Sequence, residues 1–353
     1  MMMATPFRVA MSRDVIRPNG DYGFGGVGVR LLQDAPDLDV EFIPTHPVVF
    51  SPSDIAGFDA MALLGGRVTA ETLAGNERLS LVARFGVGYD NVDVPACTAA
   101  GVFLTITPEA VRRPMAVVNL TYLLALAGRL LEQDRLTREG RWGDKQDARG
   151  VGLVGKTFGT IGFGRIAQET HTISRPLGMR HIAYDPYANP EIAAVAGIDL
   201  VDLETLLRES DFVVAAAALT DETHHLLNAE RLALMKPTAL LISTARGGLV
   251  DQVALYEALR DKRIAGAGLD VFEQEPVDPN EPILKLDNVI VTPHGLCWTD
   301  ECERLMGEIV LQSIQEVAAG KIPTNVVNPE AAEHPALKER LRQYRERTEQ
   351  AQA

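Results

Sequence analysis

Short, almost unbroken apolar runs alternating with helix-length segments restrict this chain more than any other feature. They are TFGTIGF at 157–163, RHIAYDP at 180–186, DFVVAAAAL at 211–219, TALLIST at 238–244, AGAGLDVF at 265–272 and NVIVTPH at 288–294. Strands that are apolar on both faces must be covered on both faces. When helical segments separate them, the arrangement that does this is a parallel sheet between helix layers. An earlier series repeats the pattern: FRVAMS at 7–12, DVEFIPT at 39–45, AMALLG at 60–65, LSLVARFG at 79–86 and GVFLTIT at 101–107. Two series in 353 residues predict an α/β chain of two doubly wound domains. The apolar segment 115–131 is interrupted by Asn119, Thr121 and Arg129 and is short for a bilayer span. It predicts a buried or interface helix opening the second domain. The charged C-terminal segment, 331–353, predicts a solvated helix or a frayed end.

Two glycine clusters compete as phosphate sites. Gly23, Gly25 and Gly28 have G-x-G-x-x-G spacing, but they follow the turn-rich VIRPNGD, and no strand ending in an acid comes about twenty residues later. The expectation there is a loop. It is either a plain surface turn or a flap spanning Tyr22–Gly28, with Tyr22 or Phe24 reaching a substrate. The second cluster has the full context. Gly162 and Gly164 follow the strand TFGTI, Ala167 stands in the third position, and RIAQETHTI continues as a helix whose N-terminus can face a phosphate. The next strand ends in Asp185, placed to accept hydrogen bonds from both adenosine ribose hydroxyls. No arginine follows directly to hold a 2′-phosphate, so NAD is expected rather than NADP.

Beyond this cluster, three later strands end in chemically useful side chains: Arg246 in LLISTARGG, Asp270 and Glu275 in GLDVFEQEP, and His294 in VIVTPHG. Ligands of doubly wound sheets gather at such carboxyl ends. A guanidinium grips a carboxylate in bidentate fashion. A histidine paired with a carboxylate is a general acid–base whose charged form is favoured.

A net charge of −14 argues against nucleic acid or an anionic membrane as a partner. No basic region followed by an apolar stretch opens the chain, so no signal peptide is evident. Three cysteines, Cys97, Cys297 and Cys302, make no disulfide framework and suit a reducing cytoplasm. His294 with Cys297 and Cys302 matches no standard metal spacing, so no metal is expected.

In order, the motifs RFGVGYDNVD, GKTFGTIGFGRIA, LISTARGGLVD, GAGLDVFEQEP, VTPH and PTNVVN resemble the D-isomer-specific 2-hydroxyacid dehydrogenase family over nearly the whole chain. The resemblance implies a discontinuous, flavodoxin-like substrate domain from 1–111 and 300–330, an inserted Rossmann NAD-binding domain at 112–299, and a homodimer. It implies that Arg246 binds the substrate carboxylate and carbonyl, His294 is the acid–base, and Glu275 orients it. The cofactor set is Gly162, Gly164, Arg165, Ile166, Asp185, Thr244 and Asp270, with Asp270 at the nicotinamide end. Val87 and Gly88 would offer backbone N–H groups to the substrate carboxylate. The implied reaction is reversible reduction of a 2-oxoacid to a D-2-hydroxyacid, with an NAD(H)-sensing protein of low turnover as the alternative. Two departures bear on the substrate. EAVRRPMA replaces a serine–valine–alanine–glutamate pattern, so Arg112 and Arg113 are either hinge ion-pair partners or substrate neighbours. HGLCWTDE brings Trp298 where small residues are usual, either filling a gap or walling a substrate side-chain pocket.

Overall fold

The computed structural model describes residues 6–17, 19–23 and 26–352. The chain divides into two compact units, Met1–Val111 with Trp298–Ala353, and Arg112–Cys297. In the first unit the strands β1 (Phe7–Met11), β2 (Leu38–Phe42), β3 (Ala60–Leu63), β4 (Leu81–Arg84) and β5 (Phe103–Thr105) pair in parallel. Their order, β2-β1-β3-β4-β5, is that of flavodoxin-like sheets. The second unit holds β6 (Thr157–Ile161), β7 (Arg180–Tyr184), β8 (Asp199–Leu200), β9 (Phe212–Ala215), β10 (Leu240–Ser243), β11 (Gly266–Leu269) and β12 (Val289–Val291). All seven are parallel, in the order β12-β11-β10-β9-β6-β7-β8. This is the Rossmann order with a seventh strand added, and strand order reverses between β6 and β9. β8 is two residues long, too short to leave a periodic trace in the sequence.

The first glycine cluster is not a loop throughout. Helix α1 (Gly26–Gln33) begins inside it and packs on the helix Asp300–Ala318. A Cβ on Gly28 would lie 2.6 Å from the Glu303 carbonyl oxygen and 3.1 Å from Gly307 Cα. A Cβ on Gly307 would lie 2.2 Å from Gly28 Cα. The two helices therefore cross backbone to backbone, and Gly28 serves that crossing. The Tyr22 hydroxyl donates to Gln33 at 2.5 Å, and Gly23 N donates to the Val15 carbonyl. Phe24 and Gly25 lie outside the described residues.

The C-terminal segment also departs from the expected charged tail. Pro335–Gln352 is a helix that buries Leu337, Leu341 and Tyr344 within the first unit. The Tyr344 hydroxyl donates to Asp59 at 2.9 Å, and Arg78 grips the same buried carboxylate with two bonds of 2.9 and 2.8 Å. Arg340 donates to the Gly101 carbonyl and to Ser80. Charged residues dominate the segment's composition, yet every third or fourth residue faces inward. No single helix among the described residues is long and apolar enough to cross a membrane.

In the second unit, helix α2 (Pro108–Ala127) covers the sheet with Val118, Tyr122, Leu123 and Ala127. Helix α3 (Arg165–Ser174) follows β6 and is pinned by a buried histidine pair. His171 Nδ1 lies 2.9 Å from His181 Nδ1 on β7, and His171 Nε2 lies 3.0 Å from Thr160 Oγ1 on β6. One ring must donate and the other accept, so the accepting ring is neutral. Burial, then the neighbouring charges of His181 and Arg175, push His171 down to about 3. Burial and then Arg175 push His181 to about 4. The unfolded chain binds protons that the folded chain refuses, so this contribution is complete above the unfolded histidine value. It falls away as the pH drops from about 6.5 toward these depressed values. The parent is expected to lose more of its melting temperature between pH 7 and pH 5 than His181→Gln does. Equal losses in thermal melts at the two pH values would contradict the assignment.

Candidate active site

The carboxyl edge of the second sheet gathers the candidate residues. At the switch point, Gly162 has φ 96°, a left-handed conformation that favours glycine. A Cβ there would fall 2.8–2.9 Å from the backbone of Ala216 and Ala217, which follow β9. Gly164 caps α3 without a side-chain bond, and no acid occupies the helix's first turn. A Cβ on Gly164 would meet nothing within 4 Å. The positive end of the helix dipole and open space at Gly164 together suit a phosphate. Ala167 is buried against the sheet. Asp185, just beyond β7, is already oriented: Oδ2 accepts from Phe163 N at 2.8 Å and Oδ1 from Tyr187 N at 2.9 Å. The carboxylate thus spans the glycine turn and the next loop, and the residues present fit a dinucleotide.

Arg246 follows β10, and its Nη1 donates to the Ala245 carbonyl at 2.7 Å. At Gly247 a Cβ would collide with the Phe272 backbone at 2.0 Å, so the Arg246 loop and the turn after β11 touch backbone to backbone. That turn presents Glu275. Its Oε1 accepts from Phe272 N at 2.9 Å, and its Oε2 lies 2.6 Å from His294 Nδ1. Burial alone would raise the Glu275 carboxyl. The bonds from His294 and Phe272 N, with the charges of His294 and Arg246, outweigh it and hold the group below its usual value. The structure thus brings Arg246, Glu275 and His294 together, with Nε2 left as the ring nitrogen not taken up by Glu275.

Asp270 is 1% exposed, and its Oδ1 accepts from Thr292 Oγ1 at 2.5 Å and from the amides of Gly295 and Leu296 at 3.2 and 3.4 Å. Thr244 donates its hydroxyl to Asn119 at 2.7 Å, and Asn119 donates to Thr170 on α3. Asn119 was visible in the sequence only as a polar interruption of an apolar helix. Arg112 and Arg113 both reach Glu169 of α3, at 3.7 and 2.6 Å, which supports the ion-pair alternative. Val87 and Gly88, in the partly exposed loop after β4, and the half-exposed Trp298 belong to the other unit.

Residues 120–295 match the family model described as the D-isomer specific 2-hydroxyacid dehydrogenase, NAD binding domain. Over 310 residues the chain is 40% identical to a glyoxylate reductase of Korarchaeum cryptofilum, covering 86% of this chain and 93% of that protein. It is 40% identical over 302 residues to a D-3-phosphoglycerate dehydrogenase of Methanocaldococcus jannaschii, covering 85% of this chain and 57% of that protein. Among solved structures, the TT0316 protein of Thermus thermophilus superposes with a TM-score of 0.79 at 33% identity, covering 91% of this chain and 99% of that one. With Asp185 as the candidate ribose ligand, Asp185→Ala is expected to weaken NADH binding by roughly 1–3 kcal/mol and to narrow the preference over NADPH. Fluorescence titration with both nucleotides measures this. Equal affinity of the parent for the two would defeat the ribose assignment.

Proposed function

We propose the following chemistry for a chain that belongs to the D-isomer-specific 2-hydroxyacid dehydrogenase family and is an NAD-dependent oxidoreductase acting on the CH–OH group of 2-hydroxyacids. The reaction is reversible reduction of a short 2-oxoacid, of the glyoxylate type named for the archaeal relative, to the D-2-hydroxyacid. The observation that carries it is the 2.6 Å bond between His294 and Glu275, in the same unit as the Gly162–Ala167 turn and Arg246.

Arg246 grips the substrate carboxylate and polarises the C2 carbonyl. His294 holds a proton on Nε2 and gives it to the carbonyl oxygen. In the reverse direction the same nitrogen removes the hydroxyl proton. Glu275 occupies Nδ1, fixing the ring's orientation and favouring its charged form. When bound, NAD supplies or takes up the hydride at C2. Gly162, Gly164, Arg165, Ile166 and Asp185 would hold its diphosphate and ribose, and Thr244 and Asp270 complete the proposed cofactor set. In the other unit, the Val87 and Gly88 amides and Trp298 are the proposed substrate contacts.

The partner we propose is a second copy of the chain. Val117 and Leu124, seven residues apart on one face of α2, are 48 and 46% exposed, and Leu130 and Leu131 just beyond it are 58 and 55% exposed. Exposed apolar side chains on α2 and on the helix that follows it fit burial against another subunit.

His294→Asn is expected to leave NADH binding intact and lower kcat by about 10²–10⁴-fold, the range of general acid–base catalysis. Glu275→Gln should move the pH–rate profile of reduction to lower pH, since the imidazolium loses the partner that stabilises it. Steady-state rates with glyoxylate, hydroxypyruvate, pyruvate and phenylpyruvate check both variants and the substrate class. Turnover that is negligible with all four would contradict the proposal. Leu124→Glu combined with Leu131→Glu should convert the species seen by light scattering from dimer to monomer. A parent already of monomer mass would refute the partner.

A further inference from the structure

Around His294 the chain does something that neither the acid–base role nor cofactor binding requires. The residue has φ 50°, a left-handed conformation uncommon for any residue but glycine. The segment carrying it is tied down on both sides by one buried oxygen. Asp270 Oδ1 accepts from Thr292, two residues before His294, and from the amides of Gly295 and Leu296, one and two residues after it. The intervening Pro293 has no N–H to offer. Thr292 N also donates to the Leu269 carbonyl at 2.9 Å, so the segment extends the pairing of β11 with β12 up to the threonine.

The tie continues past Asp270's own strand. Thr292 Oγ1 lies 2.5 Å from Tyr122 Oη on α2, 170 residues away in sequence. A threonine hydroxyl has one proton. Thr292 gives it to the Asp270 carboxylate, so the bond to Tyr122 is one in which the phenol donates and the threonine oxygen accepts. The proton order Tyr122 to Thr292 to Asp270 is thereby fixed. Tyr122 is 1% exposed, and burial raises its hydroxyl well above the ordinary phenol value, so it remains a donor at every working pH. Its ring is seated by an absence on β11. A Cβ at Gly268 would fall 2.4 Å from Tyr122 Cδ1 and 2.7 Å from Cγ. Residue 268, two positions before Asp270, leaves room for the ring whose hydroxyl reaches Thr292.

We propose that Tyr122 and Thr292 are positioning residues for His294: the hydrogen-bonded string from helix α2 through Thr292 to Asp270 holds the His294 segment so that Nδ1 stays on Glu275 and Nε2 faces the reacting carbonyl. This rests on the acid–base reading of His294 given above. The string contacts no reacting atom. It acts by fixing the backbone on either side of a side chain whose ring is 43% exposed and whose partner Glu275 is 36% exposed, and which packing alone does not immobilise.

The test is Tyr122→Phe, which removes one hydroxyl and keeps the ring in its seat, measured beside Thr292→Ser, Thr292→Val and His294→Asn. Tyr122→Phe is expected to lower kcat by about 10-fold, in keeping with the sensitivity of proton transfer to sub-ångström placement, with NADH affinity unchanged. Its pH–rate profile should shift to lower pH, in the direction of Glu275→Gln, because a loosened ring spends less time against its carboxylate. Thr292→Val should reproduce or exceed the loss, and Thr292→Ser should restore parental behaviour. In a Glu275→Gln background, Tyr122→Phe should add little, since both changes act through one contact. A parental kcat and pH profile in Tyr122→Phe would overturn the proposal. So would losses that multiply fully with Glu275→Gln, or a rate loss that only follows weakened NADH binding and a lowered melting temperature. His294→Asn separates the two readings. If it retains parental turnover, the acid–base assignment itself is wrong. If it is inactive while Tyr122→Phe is unaffected, only the positioning role falls.

Discussion

Every strand of the larger sheet runs the same way, and the site depends on that constraint. Parallel pairing needs a crossover after each strand, so β6, β7, β10, β11 and β12 all deliver their carboxyl ends to one edge. Gly162, Asp185, Arg246, Glu275 and His294 each lie a few residues beyond such an end. Their sequence separations exceed a hundred residues in places, yet no special device is needed to gather them. What remains for the loops is fine placement, and backbone contact supplies it: Gly247 against Phe272 brings the Arg246 and Glu275 turns together.

Within that edge, electrostatics and burial work in opposite senses on the same groups. Glu275 is buried enough to be pushed toward its neutral form. It stays ionised because His294, the Phe272 amide and Arg246 surround it. In the mechanism proposed above, this ionised carboxylate is the partner held against Nδ1 of His294. The chain as a whole carries −14, so under the proposed mechanism Arg246 would attract an anionic substrate only at short range, against a negative long-range field.

The strands, the switch-point turn and the three strand-end side chains were legible because each leaves a local signal: an apolar run, a glycine spacing, a polar residue where a run stops. The supports were not. Thr244 meets Asn119 across 125 residues and Tyr122 meets Thr292 across 170, and no local pattern encodes such a pairing. Asn119 reads in sequence as a polar interruption of an apolar segment and Thr244 and Thr292 as residues where an apolar run stops, and only the fold shows that each partner arrives from another element. Charge misled in the C-terminal segment. Glutamate and arginine dominate Pro335–Gln352, while the turn-to-turn spacing of Leu337, Leu341 and Tyr344 buries one face and Asp59 takes the tyrosine hydroxyl.

The two glycine clusters show what separates a ligand turn from a packing device when the spacing is the same. A missing side chain leaves a volume, and what fills that volume reveals its use. At Gly28 the space is taken by the backbone of Glu303 and Gly307, so the glycine is spent on a helix crossing within the protein. At Gly162 the neighbours are the ends of the adjoining strand, and the positive φ turns the chain away from the sheet. At Gly164, the next glycine, a Cβ would meet nothing within 4 Å, and this residue caps α3 with no side chain of its own. A fold that gives up a side chain at a helix N-terminus and fills the space with none of its own atoms leaves a cradle shaped for a phosphate, whereas the first cluster has already closed on itself.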